Sequence, residues 1–220
     1  MKISEKTFEA LKNFSTINPS LRVKAGNVLS TVSEQKNILA KVTVAEAFPK
    51  DFAVYELNQF LGLASLFEEG EYDFGESAVV ISEGKNSSRY TYTDPSMVTA
   101  PPDKPLDLPS QEVSFNLEWN DLKKIINAAN QLSLPEIVVR GVDSNIKLVA
   151  TDSKNPTSNE FSQDLGISTE SEFDFVFKVE NFKFMQQDYQ VTISSRGISH
   201  FKGQMIEYWV ATESGSKYNG

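Results

Sequence analysis

The chain has no cysteine and a single histidine, His200. Disulfide scaffolds, cysteine-based zinc sites and thiol nucleophiles are therefore excluded, and a zinc site would need an unusual set of carboxylates. No apolar run approaches the ~18 residues of a membrane span. The opening Met1-Lys2-Ile3-Ser4-Glu5-Lys6 lacks the apolar stretch of a secretory signal, so the expectation is a soluble, cytoplasmic protein with no membrane partner. Walker A and GxGxxG motifs are missing, and no GxSxG accompanies His200. The acidic stretch Glu68-Glu69-Gly70-Glu71-Tyr72-Asp73 lacks the spacing of a calcium loop and reads as a solvated turn. Asp143 and Asp152 select no chemistry. No catalytic, cofactor-binding or metal-binding residue is expected.

Charge of one sign is also short. The net charge is −9, with eleven basic against fourteen acidic residues in 1–105 and ten against sixteen in 106–220. Long-range attraction to nucleic acid is then weak or repulsive unless the basic residues gather on one face.

What the chain does have is a repeat. Val54-Tyr55-Glu56-Leu57-Asn58-Gln59-Phe60 returns 122 residues later as Val176-Phe177-Lys178-Val179-Glu180-Asn181-Phe182. Upstream, Phe8, Leu11, Lys12 and Phe14 match Trp119, Leu122, Lys123 and Ile125. A two-fold repeat without a catalytic constellation points to architecture. Four prolines between Pro101 and Pro109 mark an extended, semi-rigid connector. The domains are expected at 1–105, ending in that connector, and 106–220.

Periodicity predicts a helix over 4–14, capped by Ser4, with an apolar stripe of Phe8, Leu11 and Phe14. Strands are expected at 21–24, 28–32, 38–44 and 51–56. A short helix follows at 57–67, weakened by Gly62, then strands at 72–74, 78–82 and 88–92. The second half repeats the order. It has a strand at 112–117 and a helix over 118–132 that buries Trp119, Leu122, Ile125, Ile126 and Ala129. Next come a hairpin of 137–140 with 146–151, a polar loop at 153–158 and a strand at 173–179. A short helix at 180–185 carries Lys183, strands at 189–194, 197–201 and 207–211 follow, and the tail 214–220 is frayed. Nothing is assigned between 158 and 173. About four helices and many strands make an α+β pattern with helices on one side of the sheets.

Lys6 and Lys12 fall beside the apolar stripe of the first helix, as Lys123 and Lys124 do on its counterpart. Amphipathic helices routinely expose lysines. A basic helical face shared by both repeats would also meet a phosphate backbone without reading bases, and would permit movement along DNA.

The chain resembles the DNA polymerase sliding clamps of T4-like bacteriophages. The residues that carry the resemblance are Met1 through Thr7, Leu11 through Asn18, the stretch Asp51-Phe52-Ala53-Val54-Tyr55-Glu56-Leu57-Asn58-Gln59-Phe60-Leu61-Gly62, then Asp94-Pro95-Ser96 and Pro101 to Pro105. The resemblance is poor from Pro156 to Glu172, and the C terminus stops early. It implies duplicated clamp domains in a ring-forming homotrimer, with helices on the inner face and antiparallel sheets outside. It implies sequence-independent enclosure of duplex DNA, an ATP-dependent clamp loader, and tethering of the phage DNA polymerase as a processivity factor without catalysis. It further implies activation of late transcription with sigma-like and coactivator proteins, and a place in the host cytoplasm on replicating phage DNA. On this reading Lys2, Lys6, Lys12, Lys123, Lys124 and Lys183 face DNA. Val98, Leu106 and Leu108 mark a pocket for a partner peptide beside the connector. A virion structural or adaptor protein and a carboxylate-pair glycosidase are the rival classes, and nothing in the residues selects a catalytic pair.

Overall fold

Ser4 starts the first helix, α1 (Glu5–Ile17): it is extended, and its hydroxyl accepts the Thr7 amide at 3.4 Å. The helix runs a turn beyond its expected end, because Ile17 continues the buried face of Thr7, Ala10, Leu11 and Phe14. Asn18 and Pro19 then stop it. The computed structural model describes residues 1–104 and 106–219 and divides into two units, Met1–Pro105 and Leu106–Gly220. Pro105, the expected last residue of the first domain, and Gly220 lie outside the described residues.

The first unit continues with β1 (Leu21–Val23), β2 (Gly26–Val32), β3 (Ile38–Phe48), β4 (Phe52–Val54), α2 (Leu57–Ala64), β5 (Glu71–Phe74), β6 (Ala78–Glu83) and β7 (Asn86–Thr91). A 3-10 turn follows at Pro95–Met97. β1 pairs with β4, β2 with β3, and β5-β6-β7 form a meander, all antiparallel. α1 packs on β2 and β3 and against α2. α2 stops at Ala64, short of the expected Phe67, and Leu66 stands 73% exposed.

The second unit holds β8 (Val113–Leu117), α3 (Trp119–Gln131), β9 (Glu136–Val142), β10 (Asn145–Thr151), β11 (Phe161–Ser168), β12 (Glu172–Lys178), β13 (Tyr189–Ser194), β14 (Ile198–Lys202), β15 (Ile206–Ala211) and β16 (Lys217–Asn219). One antiparallel sheet runs β11-β10-β9-β12-β16, and β15-β14-β13-β8 pair in a second run. α3 packs on β9, β10 and β11. Asp143 and Ser144, both at positive φ, make a two-residue hairpin turn between β9 and β10, tighter than the expected loop. Val138, Val149 and Val176 cluster on one face of the sheet. Cross-strand Val139, Leu148 and Phe175 are buried on the other.

Four expectations fail. The helix at 180–185 is only a 3-10 turn, Val179–Asn181. Phe182 and Phe184, two residues apart, both join the ring cluster of Phe201, Tyr189 and Tyr208, a spacing that suits extended chain. The hydroxyls of Tyr189 and Tyr208 then hold the Met185 carbonyl and amide at 2.6 and 3.0 Å. The described residues therefore contain three α-helices, not four. The tail is not frayed: β16 pairs with β12, and Tyr218 stacks on Phe173 and Phe175. The unassigned stretch contains β11, whose residues alternate between half-buried and exposed. Trp119 and Ile126 are only half-buried on α3.

The repeat is visible in the backbone. The Leu57 amide donates to the Pro19 carbonyl at 2.7 Å, and the Val179 amide donates to the Pro135 carbonyl at 2.9 Å. In each unit the proline after the first helix receives the first residue of the second helix or its 3-10 counterpart.

Candidate nucleic-acid interface

Lys6 and Lys12 stand exposed on α1, Lys12 opposite the buried face of Ala10, Leu11 and Phe14 and Lys6 at the edge of that face. Lys123 and Lys124 stand exposed on α3, away from Leu122, Ile125 and Ala129. Among the described residues these four lysines make no ion pair. Their charge is available to an outside anion.

The N-termini of both helices are held by carboxylates. Glu46 on β3 accepts the Ser4 amide at 2.5 Å and the Thr7 hydroxyl at 2.6 Å. Burial pushes the Glu46 carboxyl up, but the bonds from Thr7 and Ser4 outweigh it and hold the group below its ordinary value. Asp188 accepts the Trp119 amide at 2.7 Å. Both anions sit at the positive end of a helix dipole.

Lys2 differs from these four lysines. It is exposed, but its ammonium donates to Glu69 at 2.5 Å. That hydrogen bond and the Glu69 charge raise its pKa. Lys183 is half-buried on irregular chain just after the 3-10 turn rather than on a helix.

Each unit carries a groove beside its first helix. In the first unit a groove of about 630 Å³ is lined by Lys2, Phe8 and Lys12 together with Leu61, Phe67 and Glu69. In the second, about 840 Å³ is lined by Ile126, Asn130 and Phe182, with Lys154, Lys178 and Lys183 around it. Lys154 and Lys178 escaped the sequence reading. Lys154 lies in the polar loop, and the signal for Lys178 was its place inside the repeated stretch. Val98, Leu106 and Leu108 are each half-buried and line neither groove.

His200 is part of the wall of the sheet. Its ring stacks on Trp209 at 4.4 Å and 13°, and its Nε2 lies 3.0 Å from Glu207 Oε2. Ser199 donates to the Val210 carbonyl and is fully buried, so the two do not form a nucleophile and base. Among the described residues no three His, Asp or Glu side chains gather as a metal site requires, and no helix is long and apolar enough to cross a membrane.

Two family descriptions match the chain: "DNA polymerase processivity factor" over residues 2–72 and "gp45 sliding clamp, C terminal" over 114–214. The sliding clamp of Vibrio phage KVP40 is 34% identical, over 97% of this chain and the whole of that protein. The sliding clamp of Enterobacteria phage T4 is 26% identical over the full length of both. Among solved structures, A. fulgidus PCNA bound to the C-terminal region of FEN-1 shares the fold, with a TM-score of 0.70 over 96% of both chains at 13% identity. A duplicated α+β chain with exposed lysines on α1 and α3 thus matches clamps from end to end: it belongs to the sliding-clamp family of T4-like phages.

Proposed function

We propose that this chain encircles duplex DNA and tethers a replicative DNA polymerase, acting as a processivity factor and doing no chemistry itself. The observation that carries the reading is the full-length match to phage sliding clamps, 34% identical over 97% of the chain. The unpaired lysines of α1 and α3 fit it: Lys6, Lys12, Lys123 and Lys124 would meet phosphates in the ring's interior. Lys183 would join from the second unit, and Lys2 would contribute little beside Glu69. Contacts of this kind are sequence-independent and salt-sensitive. Enclosure explains how a chain of net charge −9 stays on DNA, since a mechanical link needs little affinity.

A ring needs a head-to-tail interface, because a repeated heterologous contact closes a circle. β7 ends the three-stranded sheet of the first unit and β11 ends the five-stranded sheet of the second. These two unlike edges suit strand pairing between neighbouring copies, and three copies of a two-unit chain give a six-unit ring. The partners are then an ATP-dependent clamp loader and the phage DNA polymerase, in the host cytoplasm on replicating DNA. The polymerase would insert a peptide beside the connector, at Val98, Leu106 and Leu108. A. fulgidus PCNA with the C-terminal region of FEN-1 bound is a precedent for peptide docking on this fold. We extend the proposal to mobile activation of late transcription, through sigma-like and coactivator proteins.

Light scattering across a concentration series tests the assembly. A mass near three times 24.6 kDa is expected. A monomer at every concentration would remove the preformed ring.

A further inference from the structure

The two prolines that mark the repeat are each preceded by a buried residue, and the two residues differ in kind. Leu134, before Pro135, is 7% exposed, and Asn18, before Pro19, is 1% exposed. The Asn18 Nδ2 donates to the Val32 carbonyl at 2.7 Å and to the Thr99 carbonyl at 3.2 Å. Its Oδ1 accepts the Ser20 amide at 2.8 Å and the Ser20 hydroxyl at 3.0 Å. The side-chain amide has two hydrogens and two lone pairs, and all four are used. Its own backbone amide caps α1 by donating to the Phe14 carbonyl at 2.9 Å.

Leu134 stands two residues beyond the Leu132 cap of α3, where Asn18 is itself the cap of α1, and shows that an apolar residue can occupy the place before the proline. A buried amide is costly wherever a bond is missing, so a fully bonded one at the matching position calls for a reason particular to the first unit. The Thr99 bond supplies it: Thr99 opens the proline-rich connector, and the described residues after β15 in the second unit include no such stretch. We propose that Asn18 is a positioning residue: it fixes the start of the connector so that the residues after Thr99 are presented pre-ordered to a partner peptide. Extended chain anchored at one end loses less freedom when a ligand docks on it. The surface pair of Lys24 with Asp103 adds a second, solvent-screened tie. This inference rests on the reading of the connector as a docking element.

The test uses the whole protein with two substitutions. Asn18→Leu copies Leu134 and removes every side-chain bond. Asn18→Asp keeps the acceptor for Ser20 but, when ionised, loses both donors. Two readouts are taken: hydrogen exchange of the amides in 99–104, and affinity for the tightest binder among overlapping synthetic peptides of the cognate DNA polymerase. In both variants connector exchange should quicken and peptide affinity should fall, each by about tenfold, the scale of one lost buried hydrogen bond. Exchange at Val79 and Val139, deep in the two units, should not change. Lowering the pH should restore affinity to Asn18→Asp, relative to wild type, and not to Asn18→Leu, because a neutral carboxyl regains one donor. Unchanged connector exchange or unchanged peptide affinity in a folded variant overturns the proposal. A wild-type chain that binds none of the peptides overturns the docking reading instead, and connector exchange still decides whether Asn18 is the tether.

Discussion

Glu46 holds Thr7: the carboxylate on β3 accepts the threonine hydroxyl in the first turn of α1 at 2.6 Å. With the Ser4 amide on its other oxygen, it fixes the start of the helix that carries Lys6 and Lys12. Burial pushes its pKa up, and the bonds from Thr7 and Ser4 bring it below the ordinary 4.5. A depressed carboxyl contributes stability above its unfolded pKa and loses it as pH falls through the folded value. Glu46→Gln should cost about 1 kcal/mol at pH 7. The difference between wild type and variant should shrink as pH falls below 4.5. Urea midpoints measured from neutral pH to pH 3 check this, and a constant difference would contradict it.

Gly141 has no room for a side chain. A Cβ there would stand 2.5 Å from Phe173 Cε1 and 2.6 Å from the Ser171 carbonyl oxygen. A ring can turn, but a main-chain oxygen cannot yield without shifting β12. Gly141→Ala should cost roughly 1–3 kcal/mol, the range for overpacking. The denaturant midpoint reads this directly, and an unaltered midpoint would contradict it.

Replacing Lys12, Lys123 and Lys124 by Glu should abolish processive synthesis while the mass in solution is unchanged. The slope of log affinity for duplex DNA against log salt should flatten by about 0.9 for each phosphate no longer neutralised. Lys2→Ala should change DNA affinity by no more than about twofold, because an exposed charge already paired contributes little. Equal effects of the two changes would mean that the α1 and α3 faces do not meet DNA.

Leu106→Ala with Leu108→Ala should weaken a polymerase peptide by about tenfold or more, the scale of an interface anchor. The oligomer should persist. Peptide titration by calorimetry beside light scattering separates the two, and unchanged affinity removes the connector from the docking site.

The elements whose periodicity is strong were legible in the sequence. Ser4, Leu11 and Phe14 gave α1 its start and its buried face, with Phe8 only half-buried beside it, and the repeat from Val54 and Val176 marked where each unit turns into its second helix or 3-10 turn. The losses came where tertiary partners decide. Phe182 and Phe184 look helical beside Lys183, yet Phe201 packs against Phe182, and Tyr189 and Tyr208 against Phe184, and the helix does not form. Tyr218 sits in a polar tail whose pairing with Phe173 no local pattern announces. β11 hides because Gln163 interrupts the half-buried face of Phe161, Leu165 and Ile167, and because the register against β10 shifts across Leu165 and Gly166, the latter at positive φ. Lys6, Lys12, Lys123 and Lys124 were readable from helical spacing alone, whereas the pairing of Lys2 with Glu69 joins residues 67 apart and was not.

The central claim is mechanical enclosure of DNA. The most direct measurement loads the protein on nicked circular duplex with an ATP-dependent loader and follows its retention through gel filtration in high salt. Retention on the circle, lost when a restriction enzyme makes the same DNA linear, is the result expected of a ring. Equal retention on circular and linear DNA, or release from both, would contradict it.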